Sequence, residues 1–147
     1  YTADVVYEML LDSNLPIDYA AVSVVDVYGI NSIDILAGSL KDLGITPIQS
    51  AVIAMNLGVD IDDFLSTAGF TEQEILIAKE VTTQYEVVYF VVEGMSYSKI
   101  EDGVIEDNLG AAGVESDIVV LAIENIDLDV SITVAGTFFH ILLLLRL

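Results

Sequence analysis

Residues 117–147 read DIVVLAIENIDLDVSITVAGTFFHILLLLRL, and this stretch decides the predicted fold. An apolar run over 118–123 is followed by the polar residues of 124–127, and strict alternation of apolar and polar residues occupies 128–134. After Gly136, residues 138–145 are apolar on both faces. Period-two alternation and short apolar runs bounded by turn residues are typical of β-strands. The stretch therefore predicts three successive strands, of which the last is covered on both sides.

The remaining chain shows the same kind of pattern. Residues 74–81 and 85–93 resemble a hairpin joined around 82–84, residues 62–69 favour a helical turn or a loop, and residues 95–116 predict one long irregular loop. Eight or nine strands and no amphipathic helix of more than ten residues predict an all-β fold. We expect residues 1–147 to form a single-domain β-sandwich, a jelly roll of about eight strands. The further predicted strands are 4–11, 19–28, 51–61 and 32–40, the last of which could also be a helix.

The composition combines strong acidity with a large apolar fraction. Twenty-four Asp and Glu residues face four cationic residues, which gives a formal net charge of −20, yet 54% of the residues are hydrophobic. Disordered acidic chains lack such an apolar fraction. In molar salt the Debye length falls to roughly 3 Å, so the self-repulsion of such a chain is screened. The composition therefore predicts a folded protein adapted to high salt.

The same counts exclude several function classes. Four scattered cations, Lys41, Lys79, Lys99 and Arg146, cannot neutralise a run of phosphates, so no nucleic acid is expected as a partner. The chain has no cysteine, which removes disulfides, thiol catalysis and cysteine-ligated zinc together. No cofactor-binding motif is present.

Two acidic clusters are candidate cation sites. Asp60 and Asp62 fall on one face of a predicted strand end, and Glu124, Asp127 and Asp129 fall at a predicted turn. Oxygen-rich clusters can hold Ca²⁺, which takes six to eight oxygen ligands, but neither cluster has the spacing of an EF-hand loop. Because close acidic pairs arise by chance in so acidic a chain, solvated carboxylates are the favoured interpretation, and no metal is expected.

His140 is the single histidine, and it lies within the apolar stretch 138–145. A Ser-His-Asp triad with this base is formally possible, but no nucleophile-elbow sequence accompanies it. A barrel metal site of the cupin type would need several histidines. We therefore expect a packed core or interface histidine and no enzymatic activity.

The pattern over 118–145 resembles the C-terminal half of small viral jelly-roll capsid proteins. An apolar strand, Glu-Asn-Ile-Asp, Val-Ser-Ile-Thr-Val-Ala-Gly and a bulky closing strand follow one another there. With the acidic composition, the chain is similar to the single jelly-roll capsid proteins of icosahedral, membrane-containing viruses of haloarchaea. The resemblance implies a shell subunit of the virion, which assembles with copies of itself and with other capsid subunits above an internal viral membrane.

The leading hypothesis is thus a structural virion protein. The closing strand would contact a neighbouring subunit through Phe138, Phe139, His140, Leu142 and Leu144. The alternatives are an archaeal surface filament or pilus subunit that polymerises by donating this strand, and a viral turret or tail decoration protein. A ligand-binding or enzymatic sandwich with its site in the 95–116 loop is a third possibility.

Overall fold

The computed structural model describes residues 1–145, and the side chains of residues 1–132, 144 and 145. Over this range the chain forms nine α-helices and one short 3-10 turn at Ile30–Ser32. The helices are α1 (Ala3–Asp12), α2 (Ile17–Tyr28), α3 (Ile33–Ser39), α4 (Pro47–Leu57), α5 (Ile61–Thr67), α6 (Glu72–Thr82), α7 (Tyr85–Tyr97), α8 (Asp102–Ala111) and α9 (Ser116–Leu145).

The predicted all-β fold is wrong, and with it the jelly-roll and β-sandwich architecture. Within residues 1–145 no strand is present, and every predicted strand lies in or overlaps a helix; the strand predicted at 51–61 spans the end of α4 and the start of α5. The predicted hairpin turn at 82–84 joins two helices, and the predicted loop at 95–116 contains α8. The three closing strands are one helix of 30 residues, α9, which is about 45 Å long at 1.5 Å per residue. The helical alternatives for 32–40 and 62–69 are confirmed by α3 and α5.

Burial follows a helical period where the sequence suggested alternation. In α7 the buried residues are Tyr85, Val88 and Val92, which lie three and four positions apart on one face. In α9 burial runs from Ile118 to Ile126, whereas Val130 and Ile132 of the alternating segment are half exposed. Both helices are rich in Val and Ile, residues that suit strands, but tertiary packing overrides such propensities. The sequence pattern thus identifies the apolar positions, but their spacing follows the helical period of 3.6 residues and not the strand period of two.

Six helix ends share one hydrogen-bonded arrangement. Each helix is followed by a residue with positive φ and then by an apolar residue, whose backbone N–H donates to the carbonyl five positions earlier at 3.0–3.3 Å. This is the Schellman motif, which satisfies the carbonyls that a helix end leaves unpaired. Gly58, with φ of 71°, adopts this left-handed conformation after α4. The six pairs are Asn14-Leu15, Gly44-Ile45, Gly58-Val59, Gly69-Phe70, Lys99-Ile100 and Gly113-Val114.

The next helix starts immediately after several of these pairs. Thr46 and Thr71 form capping boxes with Gln49 and Glu74, in which each threonine accepts from the backbone N–H three positions later and its own N–H donates back. Asp60 caps α5 by accepting from the N–H of Asp63 at 2.9 Å. A Schellman pair followed directly by a polar N-cap residue therefore recurs along the chain and divides it into short helices.

Two hydrophobic clusters form the core, and α4 contributes to both. The first cluster is built by α1 to α6 and includes Tyr7, Leu36 and Leu65. The second is built by α7, α8 and α9 and includes Ile105, together with Val52 from α4. Because α4 packs against α2, α5 and α6 as well as α9, it joins the two halves of the core.

Candidate functional site

Asp18 is a buried carboxylate where α2, α4 and α9 meet. Its side chain is only 4% exposed. Asn56 of α4 donates from Nδ2 to Asp18 Oδ2 at 2.7 Å, and Asn125 of α9 donates from Nδ2 to Asp18 Oδ1 at 2.9 Å. One carboxylate therefore holds together helices from both parts of the core.

The position of Asp18 follows from how α2 begins. The helix starts at Ile17, directly after Pro16, so Asp18 lies in the first turn, where backbone N–H groups are free to bond a carboxylate. Burial raises the pKa of Asp18 above its ordinary value, and the hydrogen bonds from Asn125, Asn56 and the backbone oppose that rise. The group is thus costly to bury and depends on its amide partners.

Two tyrosines of α7 stand beside this carboxylate. Tyr85 is 6% exposed, and its hydroxyl oxygen lies 3.3 Å from Asn125 Nδ2, which shares its two hydrogens with Asp18 and the carbonyl of Leu121. Tyr89 donates its hydroxyl to Asp129 Oδ2 of α9 at 2.7 Å. The ring centroids of the two tyrosines are 6.2 Å apart and the planes are tilted by 51°. Burial raises the pKa of Tyr89 to about 12 and also raises that of Tyr85, so both hydroxyls keep their protons at neutral pH.

These side chains line a cleft of about 310 Å³, which we call the tyrosine–carboxylate cleft. Three of its lining residues are acidic, Asp18, Glu86 and Asp129, and none is Lys or Arg. A second cavity of about 460 Å³ shares Tyr89 and Asp129 with it and continues along α7 and α9. The arrangement is therefore a negatively charged, partly aromatic groove at the junction of four helices.

The first predicted cation cluster is not assembled by the structure. Asp60 is engaged as the cap of α5, and Asp62 forms an ion pair with Lys79 at 2.6 Å. Both members of this ion pair are about half exposed. These two carboxylates therefore have local structural roles.

The second predicted cluster is spread over α9. Burial raises the pKa of Glu124, and the nearby charge of Asp18 adds to the rise. Burial also raises the pKa of Asp127, and a hydrogen bond with Asp102 of α8 adds to the rise. Asp129 bonds to Tyr89. Among the described residues, no group of three or more acidic, histidine or cysteine side chains is placed to hold a metal ion.

The predicted subunit contacts fall mostly beyond what the structure describes. The side chains of Phe138, Phe139, His140 and Leu142 lie outside the described residues. Leu144 is described, and it is 69% exposed. Within the part of the chain that was described, no helix has both the length and the apolar character needed to cross a membrane.

Sequence reasoning missed Asp18, Asn56 and Asn125 as functional candidates. Asn56 and Asn125 interrupt apolar runs, and a strand period places them on a polar face or in a turn. A helical period places each of them on the same side as buried apolar residues, which would have marked them as partners of a buried polar group.

The raised pKa of Asp18 predicts an unusual pH dependence. A carboxyl group whose pKa is raised by folding contributes stability that is fully present below its unfolded pKa and is lost as the pH rises through its folded pKa. We therefore expect the free energy of unfolding to increase as the pH is lowered from neutrality through the raised pKa of Asp18. Glu124 and Asp127, whose pKa values are also raised, act in the same sense, so Asp18→Asn should reduce the dependence without abolishing it. Urea titrations at fixed salt over this range measure the effect.

Asp4 and Glu74 act in the opposite sense. Hydrogen bonds from Thr2 and Thr71 lower the pKa values of these carboxyls, so their contribution is lost as the pH falls through the lowered values. Both carboxyl groups are partly exposed, and because solvent screens them, their contribution to the free energy of unfolding is small. A stability that falls on mild acidification, unchanged by Asp18→Asn, would contradict the prediction.

No protein-family model, no curated protein and no solved structure matches this chain.

Proposed function

We propose that this chain is a structural, non-enzymatic subunit that associates with copies of itself in concentrated salt. The observation that carries the proposal is an apolar stripe on the outer face of α7. Its members are Val87, Phe90, Val91 and Tyr97, which are 67%, 75%, 42% and 80% exposed. Contiguous exposed apolar surface of this kind is typical of protein interfaces.

The stripe is opposite the buried face of the same helix. Tyr85, Val88 and Val92 face the second core cluster, so α7 is apolar on two sides. A helix that served only its own core would carry polar residues on the outer face. Covering Phe90 and Val87 removes apolar surface from water, which favours association by about 25 cal/mol for each Å².

The acidity of the chain makes a second copy in concentrated salt a suitable occupant. Two copies can pair their α7 helices in antiparallel fashion around a two-fold axis, so that the stripe of each copy covers the stripe of the other. The net charge of −20 on each copy opposes association in dilute buffer, and molar salt screens that repulsion.

The test is the oligomeric state in molar KCl, measured by sedimentation velocity. We expect the wild-type chain to form oligomers, and we expect Phe90→Asp to weaken association by at least about tenfold because it places a charge at the centre of the stripe. Val27→Asp is the matched control, since Val27 is 80% exposed on α2. A wild-type chain that stays monomeric at high concentration in molar KCl would refute the proposal.

The virion is the setting that the sequence resemblance implied for such a subunit, with other shell subunits and an internal membrane as neighbours. The strand pattern that carried the resemblance is helical in the structure, so the support for this setting is the acidic, apolar composition alone. Polymerisation by strand donation would require a strand at 138–145, and these residues are part of α9.

A further inference from the structure

Gly94 interrupts the apolar stripe of α7 at a point where the packing of the monomer does not require a glycine. It lies within the helix, and a Cβ atom added there would meet nothing outside its own stretch of helix within 4 Å. Glycine destabilises a helix relative to alanine, because it loses more conformational freedom on folding. A glycine that weakens its helix and leaves open space beside it points to close approach by another molecule.

Gly94 lies in the middle of the stripe. Residues three and four positions apart share one face of a helix, so Gly94 is flanked by Phe90 and Val91 on one side and by Tyr97 on the other. The side chains of Phe90 and Tyr97 are largely exposed. The stripe therefore contains a recess between two large aromatic side chains.

The residues of the stripe are spaced evenly about the level of Val92. Phe90 and Gly94 lie two positions on either side of Val92, and Val87 and Tyr97 lie five positions on either side. When two helices pack antiparallel around a two-fold axis, residues at equal distances from the axis face each other. An axis at the level of Val92 would therefore place Phe90 of one copy opposite Gly94 of the other, and Val87 opposite Tyr97.

We propose that two copies of this chain pair their α7 helices antiparallel, with Phe90 of each copy packed onto Gly94 of the other. The inference rests on the proposed self-association and specifies its register. Each phenylalanine ring fills the recess above the opposite glycine, and Val87 and Tyr97 cover each other at the two ends. Parallel pairing would instead set the two Phe90 rings against each other and leave both recesses empty.

The first experiment fills the recess and measures folding and association separately. Gly94→Leu introduces a good helix former where space is open, so we expect a higher midpoint of urea unfolding for the dilute, monomeric chain. By sedimentation velocity in molar KCl, we expect the same substitution to weaken association at least about fivefold, because the new side chain occupies the place of Phe90 of the other copy. A role for Gly94 within the monomer would lower the unfolding midpoint instead.

Two further variants control that measurement. Gly38→Leu is the matched substitution in α3, where the space at the Cβ position is equally open, and we expect it to leave association unchanged. Adding Phe90→Ala to Gly94→Leu makes room for the introduced leucine, so we expect the double variant to associate at least about threefold more tightly than Gly94→Leu alone. Losses that simply add in the double variant would overturn the register.

The second experiment tests the register by disulfide cross-linking. The chain has no cysteine, so Val87→Cys and Tyr97→Cys each supply a single thiol. After mild oxidation of a mixture of the two variants in molar KCl, we expect mixed disulfide dimers at least about fivefold in excess over dimers of either variant with itself, because a disulfide needs closely placed Cα atoms. An excess of dimers of like variants would overturn the antiparallel pairing.

The outcomes also separate this inference from the proposal on which it rests. A wild-type chain that stays monomeric in molar KCl would overturn self-association and its register together. Wild-type oligomers that Gly94→Leu leaves unchanged would overturn the contact between Phe90 and Gly94 alone, and self-association through another surface would stand.

Discussion

Replacing Asp18 by alanine is expected to lower the free energy of unfolding by about 2–4 kcal/mol, because a buried hydrogen-bonded carboxylate is lost from the junction of α2, α4 and α9. The Nδ2 group of Asn56 loses its acceptor at 2.7 Å. Asn125 loses its bond to Asp18 but keeps a bond from Nδ2 to the carbonyl of Leu121 at 2.9 Å, so this amide stays partly satisfied. A small cavity adds to the cost. Urea unfolding in molar KCl, followed by circular dichroism, measures the change.

The matched variant Asp18→Asn separates hydrogen bonding from charge. An asparagine can still accept from Asn125, and rotation of the Asn56 amide lets that residue accept from the new side chain. The substitution also removes a charge that burial disfavours. We expect a change within about 1 kcal/mol of wild type. If the alanine and asparagine variants were equally destabilised, the two amide bonds would not be the reason that this carboxylate is buried.

Replacing Ile105 by alanine is expected to cost about 2–4 kcal/mol, since truncation of a buried aliphatic side chain removes its burial and leaves a cavity. Ile105 is fully buried in the second core cluster, and it is the one buried residue of α8. We expect hydrogen exchange in α8 to accelerate more than exchange in α2. The measurement therefore tests whether α8 is held in place by this side chain.

Val104→Ala is the control for that experiment. Val104 is the adjacent residue of the same helix and is 45% exposed, so its truncation leaves no enclosed cavity, and the higher helix propensity of alanine offsets the small loss of buried surface. We expect a change of less than about 0.5 kcal/mol. A similar decrease in the free energy of unfolding from both substitutions would mean that α8 is not anchored through Ile105.

The helix ends were the part of the fold that the sequence could have predicted. The capping boxes of Thr46 and Thr71 have the required Gln49 and Glu74 at the third following position, and Pro47 stands at the first position of α4. Each of these signals is local and needs no knowledge of the tertiary structure. Strands are nevertheless predicted on either side of these signals, because the neighbouring segments are rich in valine, isoleucine and tyrosine.

The candidate site could not have been predicted in the same way. Asn125 is 107 positions from Asp18 in the chain, and their contact depends on how α9 packs against α2 and α4. In a chain with 24 acidic residues, nothing local distinguishes Asp18 from its solvated neighbours. The exposed apolar stripe of α7 was equally hidden, because a strand period divides Val87, Phe90 and Val91 between two faces.

The repeated helix ends also bear on how fast the chain folds. Each Schellman bond joins residues only five positions apart, and each capping box spans three. Structure encoded over such short separations gives a low contact order, because little chain entropy is lost before the first contacts form. Helical proteins of low contact order fold on the order of microseconds to milliseconds. For an acidic chain with unusually abundant apolar residues, rapid folding shortens the time during which those residues are open to aggregation.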